Sequence, residues 1–149
     1  MKNFFTVAGL SFALALGSLG VAEGAGHKSL YARLGGKKAI TAVVDEFVSR
    51  VAADSRINGF FAATAADPKR LAMFKGKLVD QICEASGGPC KYKGKDMKSA
   101  HAGMGVTGEA FGALVEDLVA ALDKFKVGET EKGELLSVLG PMKSDIVEK

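Results

Sequence analysis

Gly94-Lys95-Asp96-Met97-Lys98-Ser99-Ala100-His101-Ala102-Gly103-Met104-Gly105-Val106-Thr107 is the stretch that separates this chain from a plain helical bundle. It belongs to a glycine- and lysine-rich run from Gly88 to Thr107, with room for one or two helical turns around Met97 to His101. Roughly 20 residues of weak structure inside a small domain are uncommon unless they serve a site. His101 is one of only two histidines, and His27 lies among small residues before any packed segment begins. One neutral imidazole makes a good axial ligand to haem iron, but it cannot by itself build a zinc or non-haem site. The segment therefore points to a haem held by one histidine, or to no metal at all.

Working outward, apolar residues recur at helical spacing, and no useful length alternates as a strand would. A short first helix around Ser29 to Leu34 ends at Gly35-Gly36. The second, from about Lys37 to Asp54, carries Ile40, Val43, Val44, Phe47 and Val51 as one stripe. A turn with Phe60-Phe61 comes next. Asp67-Pro68 reads as a cap followed by proline in the first turn, opening a helix that runs to about Ser86 and stops at Gly87-Gly88. Its expected inner face is Leu71, Phe74, Leu78, Ile82 and Ala85. One helix from near Thr107 buries Phe111, Leu114, Val115, Leu118, Val119 and Leu122. A final one from near Glu129 buries Leu135, Leu136, Leu139, Met142 and Ile146. The expectation is an all-α domain of four long helices joined by the loose segment that bears His101.

The first residues read differently. Lys2 gives a short positive start, Phe4 to Leu19 is almost wholly apolar, and small residues come after it at Gly20, Ala22, Gly24 and Ala25. That order is the pattern of a secretory signal, residues 1–22, with cleavage after Ala22 or as late as Ala25. The run is shorter than the roughly 20 residues of a spanning helix, so no membrane attachment is expected once the signal is gone. The expected destination is outside the cytoplasm, in the periplasm. The net charge of +3 is spread over mixed acids and bases, with no basic block interleaved with aromatics, which argues against nucleic acid as a partner. Cys83 and Cys90 flank a segment containing Gly87-Gly88-Pro89; in an oxidising compartment they can pair, and otherwise they are two free thiols. A ring so short would fix local geometry more than global stability. No Cys-x-x-Cys-His run is present for covalent haem attachment.

Leu30-Tyr31-Ala32-Arg33-Leu34-Gly35-Gly36 and Val43-Val44-Asp45-Glu46-Phe47 resemble the opening of a group 1 truncated haemoglobin. Phe60-Phe61, Gly87-Gly88-Pro89, Tyr92-Lys93-Gly94 and Met97-Lys98-Ser99-Ala100-His101 continue the match in order, through nearly all of residues 29 to 146. The resemblance implies a two-over-two helical globin sandwich over residues 29–149, around one haem b per chain. It implies that His101 is the proximal iron ligand. It also implies that Phe61 packs on the haem face, that Phe47 stands in the distal wall, and that Met97, Phe111 and Val115 line the pocket. Spacing alone does not distinguish these apolar residues from ordinary core.

The distal side departs from the family. Val48 stands where many relatives have tyrosine, and Phe74 and Leu78 stand where relatives often have glutamines. A donor hydrogen bond of about 1 to 1.5 kcal/mol to a bound gas is thereby lost. Lys77, next to Leu78, matches a position that in some relatives supplies a sixth iron ligand. Any lysine amine must shed a proton to do so, at about 4 to 5 kcal/mol at neutral pH. The plainer reading pairs Lys77 with a haem propionate or leaves it in solvent. The leading expectation is reversible binding of oxygen, nitric oxide or carbon monoxide opposite His101. The alternatives are nitric oxide dioxygenation or peroxidase-like turnover, which would need an external reductant and hence a redox partner, and a haem-free helical interaction module.

Overall fold

The computed structural model describes residues 26–149, so the expected signal and both candidate cleavage points lie outside the described residues. Among the described residues every regular element is helical. In chain order these are α1 (Leu30–Arg33), α2 (Gly36–Ala53), a 3-10 turn (Asn58–Phe61), α3 (Ala62–Ala65) and α4 (Pro68–Ala85). Then come α5 (Met97–His101), α6 (Gly108–Lys124), α7 (Glu129–Leu139), a second 3-10 turn (Gly140–Met142) and α8 (Lys143–Ile146).

The starts of these helices are set by their caps. Ser29 Oγ accepts from Ala32 N at 3.2 Å, and Asp67 accepts from Lys69 N at 2.9 Å and Arg70 N at 3.1 Å ahead of Pro68. Thr107 Oγ1 accepts from Ala110 N at 3.1 Å. Each such cap satisfies an otherwise orphaned donor, worth about 1 kcal/mol.

The stripe on α2 sits at the centre. Ile40, Val43, Val44, Phe47, Val48 and Val51 are all buried, and α2 packs against both α4 and α6. Truncating a fully packed phenylalanine such as Phe47, 7% exposed, would cost about 3–5 kcal/mol. Leu118, Ala121 and Leu122 of α6 and Leu135 of α7 complete this core.

Two expectations need correction. The final helix is not continuous: Pro141 has no N–H to donate and its ring disfavours the preceding turn, so the chain tightens at Gly140–Met142 before α8. The fully buried face of α4 is Val79, Ile82 and Cys83, so of the expected Leu71, Phe74, Leu78, Ile82 and Ala85 only Ile82 is fully buried. Leu71, Phe74 and Leu78 pack against the core yet remain half-buried. The helix thus presents two adjacent apolar faces, one covered by α2 and one incompletely covered.

The chain after α4 is held closely. Cys83, fully buried, is bonded to Cys90, with Cα atoms 5.7 Å apart. Tyr31 N donates to Ser86 O at 2.8 Å, and Gly88 N donates to Cys83 O at 2.7 Å. A Cβ on Gly88 would fall 2.5 Å from the Tyr31 ring and 2.7 Å from Cys83 Sγ, so this turn closes only around glycine.

Candidate functional site

The segment expected to be loose is tied at three places. Glu84 on α4 accepts from Tyr92 N at 2.9 Å and from Lys91 Nζ at 3.1 Å. The Tyr92 N–H above all, with the Lys91 ammonium, holds the Glu84 carboxyl below the usual carboxylate range. Tyr92 Oη donates to Lys95 O at 2.8 Å, and Asp96 caps α5 by accepting from Ser99 N at 2.9 Å. Together with the disulfide, these contacts carry the chain from the end of α4 to the start of α5 without slack.

His101 closes α5. Its Nδ1 lies 2.7 Å from the carbonyl oxygen of Met97, one turn earlier. A carbonyl only accepts, so Nδ1 carries the hydrogen and Nε2 holds the lone pair available to a metal. Such a second hydrogen bond is the usual way a protein sets tautomer and ring orientation in a metal-binding histidine. The imidazole is half-buried.

The backbone just past His101 is clamped by the C-terminal tail. Glu148 accepts from Gly103 N at 2.7 Å through Oε1 and from Gly105 N at 2.5 Å through Oε2. Gly103, with φ at +77°, adopts a conformation that side-chain-bearing residues rarely reach, and so turns its N–H to the carboxylate. Main-chain bonds from Glu148 N to Val106 O at 2.8 Å and from Gly108 N to Lys149 O at 3.1 Å continue the pairing. The Gly103 and Gly105 N–H groups, more than the nearby Lys149 and His101, hold the Glu148 carboxyl below its ordinary value.

The half-buried apolar residues come from several elements. Phe61 and Phe74 meet with ring centroids 5.6 Å apart and planes tilted by 50°. Leu78, Met97, Phe111, Leu114 and Met142 also pack on the core and are half-buried. Val115 is likewise half-buried, and Lys143 Nζ stands 5.9 Å from the Phe111 ring centroid. Phe47 and Val48 lie deeper, 7% and 8% exposed. Lys77 is exposed and enters no ion pair among the described residues.

One polar side chain that sequence reasoning passed over enters this apolar set. Gln81, three residues beyond Leu78 and seven beyond Phe74, directs Nε2 at Met97 Sδ, 3.4 Å away, and at Met142 Sδ, 3.3 Å away. In the sequence it is only a polar residue at the helical position that follows Leu71, Phe74 and Leu78 on α4.

The donor set suits haem. Among the described residues no group of three or more histidine, cysteine, aspartate or glutamate side chains is arranged to hold a metal ion. A single oriented imidazole and a set of half-buried aromatic and aliphatic side chains match a flat apolar group that brings its own four metal ligands. A separate open groove of about 510 Å³, lined by Leu30, Ala85, Glu134, Val138 and their neighbours, includes none of the predicted site residues.

Comparison with known proteins places this geometry. Residues 29–148 match the bacterial-like globin family. The group 1 truncated hemoglobin GlbN of Mycolicibacterium paratuberculosis is 36% identical over 118 residues, covering 79% of this chain and 83% of that protein. The truncated hemoglobin of Tetrahymena pyriformis in its Fe(III) form superposes with a TM-score of 0.74 at 31% identity, over 82% of this chain and all of that one. The 2/2 hemoglobin of Synechococcus, solved in the cyanomet state with covalently attached heme, gives a TM-score of 0.73 at 31% identity with the same coverage.

Proposed function

The chain belongs to the group 1 truncated haemoglobins, within the bacterial-like globins, and on that premise we propose that it holds one haem b through His101 and reversibly binds a diatomic gas. The observation that carries this reading is the hydrogen bond from His101 Nδ1 to Met97 O, which leaves Nε2 free and aimed by α5. When bound, haem supplies an iron whose remaining face takes oxygen, nitric oxide or carbon monoxide.

The chain's own residues have distinct tasks. Asp96 and Glu148 fix the two ends of the segment that bears the imidazole. Phe61, Phe74, Leu78, Met97, Phe111 and Val115 offer half-buried apolar surface to the porphyrin and exclude water from it. Phe47 and Val48 close the pocket from α2, and none of Val48, Phe74 and Leu78 carries a donor. Without a donor at those three positions, gas would leave roughly ten times faster than from a pocket with one neutral hydrogen bond there. Lys77, exposed on α4, is read as a solvated or propionate-facing cation rather than an iron ligand.

Export to the periplasm belongs to the same proposal. It is supported by the charged start and apolar run of residues 2–19 and by the Cys83–Cys90 disulfide, a bond that persists in oxidising compartments.

The test is the absorption spectrum of the purified chain. A Soret band that is lost or shifted to unligated haem in His101→Ala is expected, with the ferric spectrum unchanged in Lys77→Ala. Full porphyrin content and unaltered coordination in His101→Ala would overturn the proposal.

A further inference from the structure

We propose that the lysine-rich run ahead of His101 is a docking face for an acidic electron-carrier protein. The inference rests on the haem-binding reading above.

Lys91, Lys93, Lys95 and Lys98 are all exposed. Lys91 is engaged by Glu84, whereas Lys93, Lys95 and Lys98 enter no ion pair among the described residues. Lys98 stands three residues before His101 on α5, a spacing that brings Cβ atoms to about 5–6 Å. Around the imidazole the surface is low and apolar: Ala100, Ala102 and Gly103 are exposed, and Met104 is 38% exposed. Lys149 borders the far edge, its Nζ lying 3.6 Å from where a Cβ on Gly105 would fall. Cations thus flank a small apolar centre on two sides, next to the residue read as the iron ligand.

The carboxylates of this face are already committed to main-chain donors. Asp96 accepts from Ser99 N, and Glu148 accepts from Gly103 N and Gly105 N. A mixed face of this kind suits a protein better than a polyanion, which would meet Asp96 and Glu148 along with the lysines. Residues 93–105 also hold no phenylalanine, tyrosine or tryptophan on which a nucleic-acid base could stack. The backbone under the lysines is ordered in advance by the disulfide, by the Tyr92 Oη bond to Lys95 O and by the Asp96 cap, which lowers the cost of binding. Small interfaces steered by charge are those of brief encounters, electron-transfer complexes among them. A carrier seated here would lie against α5 and the imidazole that holds the iron.

The experiment titrates the carbon monoxide complex of the haem-loaded full chain with an oxidised plant-type [2Fe–2S] ferredoxin, an acidic probe, and follows the chain's amide NMR shifts. Shifts are expected at Lys93, Lys95, Lys98 and Ala100 to Met104, with affinity that weakens as salt rises. Lys95→Glu/Lys98→Glu is expected to weaken binding about tenfold or more at low salt. Lys38→Glu/Lys126→Glu makes the same change in net charge on the first turn of α2 and in the α6–α7 loop, and should weaken it far less. Should Lys95→Glu/Lys98→Glu fail to fold or to hold haem, Lys93→Gln/Lys95→Gln serves in its place, with a smaller loss in the same direction. Equal losses in the face and control variants, or shifts centred elsewhere, overturn the inference while leaving the haem reading intact. Lysine-dependent binding to phosphatidylserine vesicles without binding to ferredoxin overturns it too, since the face would then be a membrane surface. A wild-type chain that takes up no haem overturns the earlier reading and, with it, the electron carrier as partner.

Discussion

At the scale of single residues, the fold depends on a few positions where only one side chain fits. Gly88 is the sharpest case, because an added methyl would meet the Tyr31 ring and Cys83 together. Gly88→Ala is expected to lower stability by about 1–3 kcal/mol, the usual cost of overpacking, read as a drop in thermal midpoint. His101 stood out as the candidate ligand in the sequence because the chain offers so few imidazoles, and the structure adds its Nδ1 bond to Met97 O. The cysteine pair was legible only as one of two outcomes, since seven residues of separation permit contact without requiring it. Gln81 was not legible. A glutamine in an apolar stripe reads equally as a surface residue until its neighbours across the helix gap are known to be Met97 and Met142. Glu148 was hidden for a similar reason, since nothing local announces that a carboxylate will meet backbone N–H groups more than forty residues away.

At the scale of elements, the long helices were readable because their periodicity and caps are local signals, as at Asp67-Pro68 and Thr107. Short elements were less so. α3 and the break between α7 and α8 depend on how the chain turns around its neighbours, and Pro141 gave the only local warning. The face of α4 was misjudged because hydropathy cannot tell a side chain fully covered by another helix from one left half-buried. Between α5 and the tail, Glu148 acts as a pH-sensitive latch. Its carboxyl titrates below the ordinary value in the folded chain, so the stabilisation it gives is present above the unfolded pKa of about 4.3 and is lost as pH falls through the folded value. The protection factors of the Gly103 and Gly105 amides, taken against the intrinsic exchange rate at each pH, are therefore expected to fall as the medium is acidified through the folded value. Glu148→Gln should show faster exchange at those two amides already at neutral pH. Equal exchange in variant and wild type would remove this role.

At the scale of the whole molecule, stability comes from one core shared by α2, α4, α6 and α7, with ion pairs around it. Arg33 bridges α1 to Glu131 and Glu134 of α7, Lys124 joins α6 to Glu46 of α2, and Lys75 joins α4 to Asp45. Pairs as exposed as these contribute about 0–1 kcal/mol each and weaken with salt. The disulfide is a separate contribution. It closes a short ring, so its reduction is expected to cost about 2 kcal/mol of unfolding free energy, measured by denaturant titration with and without a thiol reductant. Haem content should survive that reduction, because Glu84 and Asp96 also restrain the segment leading to α5.

The half-buried apolar residues on α4, α5 and α6 also bear on how the protein is made. Polypeptide that outruns its porphyrin supply carries a greasy seam into water, and such seams invite self-association. Pigment availability, more than folding speed, would then govern how much of the product stays dispersed.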